Sequence, residues 1–519
     1  MLIRSGLLVA SLTLVSRIFG LLRELFVAAT FGTTPIADSV NIAFKLPNLF
    51  RRIFGEGALA SVFVPIFTEK LLISKDTAAH FAGKIFLLLT VVILLLVISM
   101  QYFMPELMVI LAPGFVSDPS KFDLTVLLSR ITMMYLLFIC LAALIGGMMN
   151  SIGRFASYAA SAIIMNIVII VGTLFLIKAN LPSYHAIAIS ITVAGVMQLL
   201  FMIIFAYRAG LRLKKPNFIH NDPDISKLLK LMVPATITAG VVQINLFISQ
   251  SIASFIPGAV SILSYADRLY QLPMSIIGVT FGTVLLPTLS KLYKTNALDE
   301  ANRTQDDAIK IGLFLTMPCS IALVILSVPI IQLIYEYGVF THGDTIKTAD
   351  TIAAFALGLP AFVLSKIFTP IFYAHQDAKT PMRITIYTII ANIILNLFFM
   401  QTHSFVGIAL GSSIASWYSV YLFIKYAKKH GYFTVNKELI SFIVKLCFCG
   451  FICSSSMWFS YEFLEEIFDR DNLMCRMINV FGVLSIGFTL YIIAGFFSGI
   501  LNKRMILSLV KKETKAIES

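Results

Sequence analysis

Between Asp38 and Glu56, polar and charged residues recur on one face of a stretch that is otherwise apolar. At roughly 100° per residue of a helix, they fall within a stripe about 80° wide. The members of this stripe are Asp38, Asn41, Lys45, Asn48, Arg52 and Glu56. Ionisable groups at membrane depth are costly and normally face a bundle interior or a water-filled cavity. The pattern therefore predicts a polar cavity beside this helix.

Further charges come in two short motifs, SRIFGLLRE at 16–24 and YADRLYQLP at 265–273. One guanidinium group can bind two phosphate oxygens at once, and it keeps its charge at any accessible pH. A cluster of arginines from these motifs and from the stripe would therefore suit a di- or polyanionic head group. The arginines concerned are Arg17, Arg23, Arg52 and Arg268.

A structural role for these arginines is the alternative, since each could pair with a carboxylate and lock two helices together. Cations exceed acids in the first two predicted helices even after such pairing, and unpaired buried charge is hard to explain without a ligand. We therefore favour binding of an anionic substrate, and we predict no catalytic and no metal-ligating residues. The candidate substrate-binding residues are Arg17, Arg23, Arg52, Arg268, Asp38, Glu24, Lys45 and Asn48.

The composition is that of a membrane protein. Hydrophobic residues make up 58% of the 519 positions and charged residues 13%, against about 25% charged in a soluble domain. Apolar runs near the ~20 residues needed to cross the hydrocarbon recur along the whole chain. We predict an all-α polytopic membrane protein with about fourteen transmembrane helices. The predicted helices are 5–31, 36–69, 82–111, 124–149, 157–178, 185–207, 228–256, 259–290, 309–336, 349–374, 381–400, 405–427, 438–460 and 476–500.

An internal repeat divides these helices. Residues Gly32, Pro47 and Asn166 recur at one common offset as Gly258, Pro273 and Asn392. The repeat favours two six-helix lobes related by pseudo-two-fold symmetry, with two extra C-terminal helices. The predicted divisions are an N-terminal lobe at 1–208, a C-terminal lobe at 228–428, two further helices at 438–501 and a cytoplasmic tail at 502–519.

Most of the net charge of +13 indicates how the chain is oriented in the membrane. Lysine and arginine are concentrated in the connections after even-numbered helices, whereas those after odd-numbered helices hold only Lys121, Lys347 and Arg470. The positive-inside rule then predicts that both termini are cytoplasmic. A nucleic-acid partner is not needed to explain the charge.

The sequence contains no G-x-x-x-x-G-K-S/T motif, so ATP hydrolysis by this chain is not supported. Uphill work would have to use the membrane potential or a gradient of a monovalent cation, and we predict no bound cofactor. Asn392 and Asn396 could coordinate such an ion, but hydrogen bonding between helices is the favoured interpretation. An enzyme would need a clustered acidic or histidine site, and no such cluster is evident.

The motifs together resemble the lipid II flippase family (MurJ, also called MviN) of the multidrug/oligosaccharidyl-lipid/polysaccharide exporter superfamily. The long string ADSVNIAFKLPNLFRRIFGEGA at 37–58 is the most specific of them. The other matching strings are SRIFGLLRE, APGF at 112–115, YADRLYQLP, GTVLLPTLSK at 282–291, YGVFT at 337–341 and FYAHQDAKTP at 372–381.

The resemblance implies fourteen helices and alternating access of a central cationic cavity in the bacterial inner membrane. Its implied substrate is lipid II, an undecaprenyl-pyrophosphate disaccharide-pentapeptide moved to the periplasmic leaflet for peptidoglycan synthesis. Further implied partners are membrane lipids and the cell-wall synthesis machinery. Family roles map onto the four arginines and Asp38, while Glu24 stands where many members have aspartate. The alternative is an exporter of drugs or of another polyprenyl-pyrophosphate-linked oligosaccharide.

Overall fold

The computed structural model of the chain consists of helices joined by short connections, as the composition predicts. All regular secondary structure within the described residues is helical. Contacts divide the chain into two compact units, Met1–Ser261 (unit 1) and Ile262–Ser519 (unit 2). The described residues are 2–53, 59–214, 223–467 and 472–501.

Unit 1 holds helices α1 to α10 among its described residues, with a 3-10 helix between α5 and α6. Their bounds are α1 Leu2–Phe31, α2 Pro35–Arg51, α3 Ala60–Ile73, α4 Lys75–Tyr102, α5 Met104–Leu111, α6 Pro119–Met133, α7 Tyr135–Ser151, α8 Ala156–Lys178, α9 Ser183–Arg208 and α10 Pro223–Ala253, and the 3-10 helix spans Pro113–Ser117.

Helix α11 begins in the last residues of unit 1 and continues into unit 2, which holds the remaining described helices. Their bounds are α11 Ala259–Lys294, α12 Leu298–Ile325, α13 Ser327–Tyr335, α14 His342–Ala356, α15 Leu359–Ala374, α16 Lys379–Lys429, α17 Lys437–Ile467 and α18 Leu473–Phe497. Helices α12, α15, α17 and α18 contribute to one apolar core in this unit.

Two of the three repeated residue pairs lie in turns or helices that can be compared directly. Gly32 and Gly258 both adopt positive φ, 57° and 76°, in the turns before α2 and α11. A side chain is strained in that conformation, so glycine is the suitable residue at both turns. Pro47 and Pro273 both lie inside the helices that follow. These two pairs therefore stand at corresponding places, in the turn before a helix and within that helix.

The fourteen predicted segments all fall on helices, but several consist of two helices. Segment 36–69 is α2 followed by α3, and 82–111 is α4 followed by α5. Hydropathy marks apolar length and does not register a change of helix direction, so these breaks were not predicted. Among the described residues, nine helical stretches are long and apolar enough to span a membrane. The count of fourteen spans stays a prediction.

The predicted lobes also stay a prediction. The contact-based division at Ser261 groups α10 with unit 1, whereas the sequence assigns 228–256 to the C-terminal lobe. Helices α17 and α18 cover the predicted extra segment 438–501. The predicted tail at 502–519 lies outside the described residues.

Helix α16 consists of two segments that fold back on each other at Ser404, where φ is 54° and ψ is −132°. This break confirms the two separate helices predicted at 381–400 and 405–427. A Cβ atom placed on Gly407 would lie 2.1 Å from the backbone oxygen of Phe399. The hairpin can close only because residue 407 has no side chain.

Gly407→Ala is therefore expected to destabilise the protein by about 1–3 kcal/mol, as an overpacked core does. The loss would appear as a lower thermal unfolding midpoint of the purified protein in detergent. The matched control is Gly482→Ala in α18, where an added Cβ would meet Leu464 at an ordinary 3.5 Å. An equal midpoint for the two variants would contradict the close packing of the hairpin.

Candidate functional site

The polar stripe of α2 runs from a buried end to an exposed end. Asp38 has no exposed surface, and Asn41 is 8% exposed. Lys45 and Asn48 are half-buried, and Arg52 is exposed. Glu56, the last predicted member of the stripe, lies outside the described residues. The stripe thus leads from the surface of unit 1 to a buried carboxylate.

The carboxylate of Asp38 accepts four hydrogen bonds. Its Oδ2 atom accepts from Lys121 Nζ at 2.7 Å and from the backbone N–H of Gly258 at 2.9 Å. Its Oδ1 atom accepts from the backbone N–H and the hydroxyl of Ser261, at 2.9 and 2.8 Å. A carboxylate is favourable at a helix N-terminus because of the unpaired N–H groups and the helix dipole. Asp38 therefore ties α2 to α6 and to the start of α11.

Lys121 reaches Asp38 from the first turn of α6. Asp118 caps this helix by accepting from the backbone N–H of Lys121 at 3.2 Å. Hydrogen bonds from the hydroxyl of Ser120 and then from that N–H lower the pKa of the Asp118 carboxyl. The Lys121 ammonium also lies 3.8 Å from the ring centre of Phe115. The sequence pattern places Lys121 in a connection and does not reveal it as the partner of Asp38.

The APGF motif holds Phe115 in place beneath Lys121. Gly114 donates its backbone N–H to the hydroxyl of Ser254, which follows α10, at 2.9 Å. A Cβ atom on Gly114 would lie 2.4 Å from backbone atoms of Ser254 and Phe255. The motif therefore needs glycine for close packing, and this packing sets the position of the Phe115 ring.

Arg23 is buried between three helices of unit 1. Its guanidinium donates to Glu24 at 3.2 Å and to the Oδ1 atom of Asn166 in α8 at 3.1 Å. It lies over the ring of Phe44 in α2, 4.6 Å from the ring centre. Glu24 is buried as well. The ion pair between Arg23 and Glu24 is the kind of contact expected if an arginine has a structural role.

Lys45 and Asn48 continue the stripe. Lys45 Nζ donates to the Oε1 atom of Gln250 in α10 at 2.8 Å. Asn48 donates to the backbone oxygen of Phe44 at 2.8 Å and accepts from Arg51 Nε at 3.2 Å. These contacts fix the direction of both stripe residues within unit 1.

The remaining predicted arginines lie on three different helices or helix ends. Arg17 is exposed on α1, and Arg52 is exposed directly after α2. Arg268 is half-buried on α11 in unit 2, next to Asp267, which accepts a hydrogen bond from Gln271. The meeting of Arg268 with the arginines of unit 1 stays a prediction.

The partner of Asp38 changes the charge balance inferred from the sequence. That balance counted Asp38 as an acid available to the arginines of the first two helices. Its hydrogen-bond partners are instead a lysine of α6 and residues at the start of α11, and none of them is an arginine. The Asp38 charge is therefore offset outside α1 and α2, so the excess of cations on these two helices is larger than the sequence count suggested.

The family model for "Lipid II flippase MurJ" matches residues 27–477. The chain belongs to the lipid II flippase MurJ family. A relative named "Probable lipid II flippase MurJ" from Rickettsia prowazekii (strain Madrid E) is 48% identical over 491 residues, covering 94% of this chain and 96% of the relative. Members of this family are transporters and not enzymes.

Solved structures agree with this assignment. The structure titled "Lipid II flippase MurJ, inward closed conformation" matches with a TM-score of 0.77 at 29% identity, covering 95% of this chain and 98% of that chain. An inward-facing MATE family transporter of the MOP superfamily matches with a TM-score of 0.66 at 14% identity, covering 82% and 97%. At this identity the second match shows a shared fold alone.

Lys121→Met is expected to destabilise the protein by about 3–5 kcal/mol, since it leaves the Asp38 charge buried without its cation. The double variant Asp38→Asn, Lys121→Met should recover part of this loss because the amide oxygen can still accept from the start of α11. The free energy of unfolding in detergent measures both effects. The matched control is Lys214→Met, which breaks an exposed ion pair with Asp76 and should leave stability near wild type. Equal stability of Lys121→Met and the control would contradict a buried ion pair.

Proposed function

We propose that this protein moves lipid II from the cytoplasmic to the periplasmic leaflet of the bacterial inner membrane, by alternating access of a central cationic cavity. The observation that carries the proposal is the family match over residues 27–477. The 48% identity to a relative of that name supports the same substrate. In this proposal the chain crosses the membrane about fourteen times, with both termini in the cytoplasm.

The physics of the task favours such a cavity. A pyrophosphate with sugars cannot cross ~30 Å of hydrocarbon unaided, whereas a polyprenyl chain can remain in lipid. Guanidinium groups supply bidentate, permanently charged contacts to the phosphates. In the proposal the head group is bound by Arg17, Arg23 and Arg52 from unit 1 and by Arg268 from unit 2.

The other candidate residues would support these arginines. Glu24 pairs with Arg23, so it would hold that side chain in place. Asp38 would maintain the joint between α2, α6 and the start of α11, where its four hydrogen bonds lie. Lys45 and Asn48 would add polar contacts along the same stripe. Asp38 thus acts on the substrate through the helices that it holds.

The energy source in this proposal is the membrane potential or a monovalent cation gradient, since the sequence has no nucleotide-binding loop. Asn392 and Asn396 do not carry the ion site in this proposal. In the orientation that satisfies its amide, Asn396 donates to the backbone oxygen of Ile408 at 3.1 Å and to Asn392. The bond to Ile408 joins the two segments of α16, which favours the interhelical interpretation for Asn396. Enzymes of cell-wall synthesis are the proposed partners.

Arg268→Ala should weaken binding of lipid II by about tenfold or more, since one charge-assisted contact is lost. Binding to the purified full chain in lipid nanodiscs measures this affinity, and a vesicle assay measures transport. Arg383→Ala is the matched control, because Arg383 is exposed at the start of α16. Wild-type affinity and transport in Arg268→Ala would refute the role of this arginine.

Depletion of the protein from its host should cause lipid II to accumulate on the cytoplasmic face of the membrane. The sidedness of lipid II, probed with an impermeant reagent, measures this. Expression of the wild-type chain should restore export, and expression of the Arg268→Ala variant should not. Normal export and an intact cell wall after depletion would favour an exporter of a different glycan or of drugs.

A further inference from the structure

Asn166 of α8 is a buried amide that contacts the arginine motif of α1. Its Oδ1 atom accepts from Arg23 Nη1 at 3.1 Å, and the residue is 3% exposed. We propose that Asn166 is a positioning residue that orients the Arg23 guanidinium for the pyrophosphate without neutralising its charge. This inference rests on the proposed function and adds a residue of α8 to the candidate site.

The orientation of the Asn166 amide is fixed by its other half. Its Nδ2 atom donates to the backbone oxygen of Ala162, one helical turn earlier, at 3.0 Å, and to that of Ser16 in α1 at 3.5 Å. Carbonyl oxygens can only accept, so they require the NH2 group on their side. The Oδ1 atom must then face Arg23. An amide provides a donor to one side and an acceptor to the other, whereas an ionised carboxylate provides acceptors only.

The packing around this contact restricts the guanidinium on further sides. A Cβ atom on Gly20 of α1 would lie 3.8 Å from Asn166 Nδ2, so a residue larger than alanine there would enter the space of the amide. The Phe44 ring covers one face of the guanidinium, at the 4.6 Å separation typical of a cation–π contact. Glu24 binds at Nη2. Contacts with residues of α1, α2 and α8 thereby hold the Arg23 side chain in one orientation.

The charge of each partner decides what the arginine can still do. Glu24 contributes a full negative charge, which offsets the charge of Arg23. Asn166 is neutral, so it orients the group and leaves the net charge of the site unchanged. A second carboxylate in its place would oppose a pyrophosphate at short range, where the low dielectric strengthens repulsion. A neutral acceptor is therefore the residue that a phosphate-binding arginine needs here.

The contact of Asn166 with an arginine differs from the contact made by the repeat-related residue. The repeat-related residue in unit 2 is Asn392, which contacts Asn396 within the α16 hairpin. The same residue type at the same place in the repeat therefore contacts an amide one helical turn away in unit 2 and an arginine of another helix in unit 1. The contact with Arg23 is not a requirement of the repeated fold.

The experiment compares four full-length proteins in lipid nanodiscs: wild type, Asn166→Leu, Asn166→Asp and the control Gln198→Leu. Gln198 is also a buried amide of unit 1, but its partners are Tyr135 and Ser161 and not Arg23. We expect each Asn166 variant to bind lipid II about tenfold or more weakly and the control to stay within about threefold of wild type. Wild-type affinity in either Asn166 variant would overturn the proposal.

A second measurement does not depend on the substrate. The Nε–H signal of Arg23 in 15N-arginine-labelled protein, assigned by its loss in Arg23→Lys, reports how tightly the guanidinium is held. We expect this signal to shift and broaden in Asn166→Leu and to remain sharp in Asn166→Asp and in Gln198→Leu. An unchanged signal in Asn166→Leu would overturn the positioning role.

The two measurements separate the two proposals. If wild-type protein does not bind lipid II, the proposed function fails, and the Arg23 signal alone still decides whether Asn166 holds the arginine. If Asn166→Leu does not fold, Asn166→Asp still tests whether Arg23 requires a neutral partner. A weaker affinity together with a sharp Arg23 signal in Asn166→Asp would support the requirement for a neutral partner, and full affinity would refute it.

Discussion

The buried carboxylate of Asp38 is the interaction on which the described part of unit 1 depends. A charge without any exposed surface is tolerated only if a counter-ion and hydrogen-bond donors surround it. Lys121 supplies the counter-ion, and the first turn of α11 supplies the N–H groups. The chain meets these requirements with residues far apart in sequence. Three helix segments must therefore come together before the carboxylate can be buried.

The same constraint explains how Arg23 is held. Its positive charge is buried in the C-terminal third of α1, and it contacts a neighbouring carboxylate, a neutral amide and an aromatic ring. Each partner contributes something different, namely charge, direction and a polarisable surface. An arginine that is bound in this way loses little conformational entropy when a phosphate arrives, because its side chain is already fixed. Such preorganisation is consistent with a binding role and not only with a structural one.

Much of the fold could be predicted from the sequence, and the reason lies in local signals. Gly32 and Gly258 mark turns, and the break at Ser404 falls between two apolar runs of the right length. The stripe on α2 was evident because its period is that of a helix. Lys121 and Asn166 were missed as partners for the opposite reason. Periodicity shows which face of a helix is polar, but it does not show which residue of another helix meets that face.

Unit 1 contains two buried ion pairs that bear on the proposed transport cycle. The ion pairs of Asp38 with Lys121 and of Arg23 with Glu24 join residues of the same unit. Such buried pairs are costly to separate, because separation leaves an uncompensated buried charge. In the proposed mechanism the changing contacts are those that the substrate makes with arginines of both units. The conformational equilibrium is then set by differential binding of the pyrophosphate, which is the only way in which a ligand can shift it.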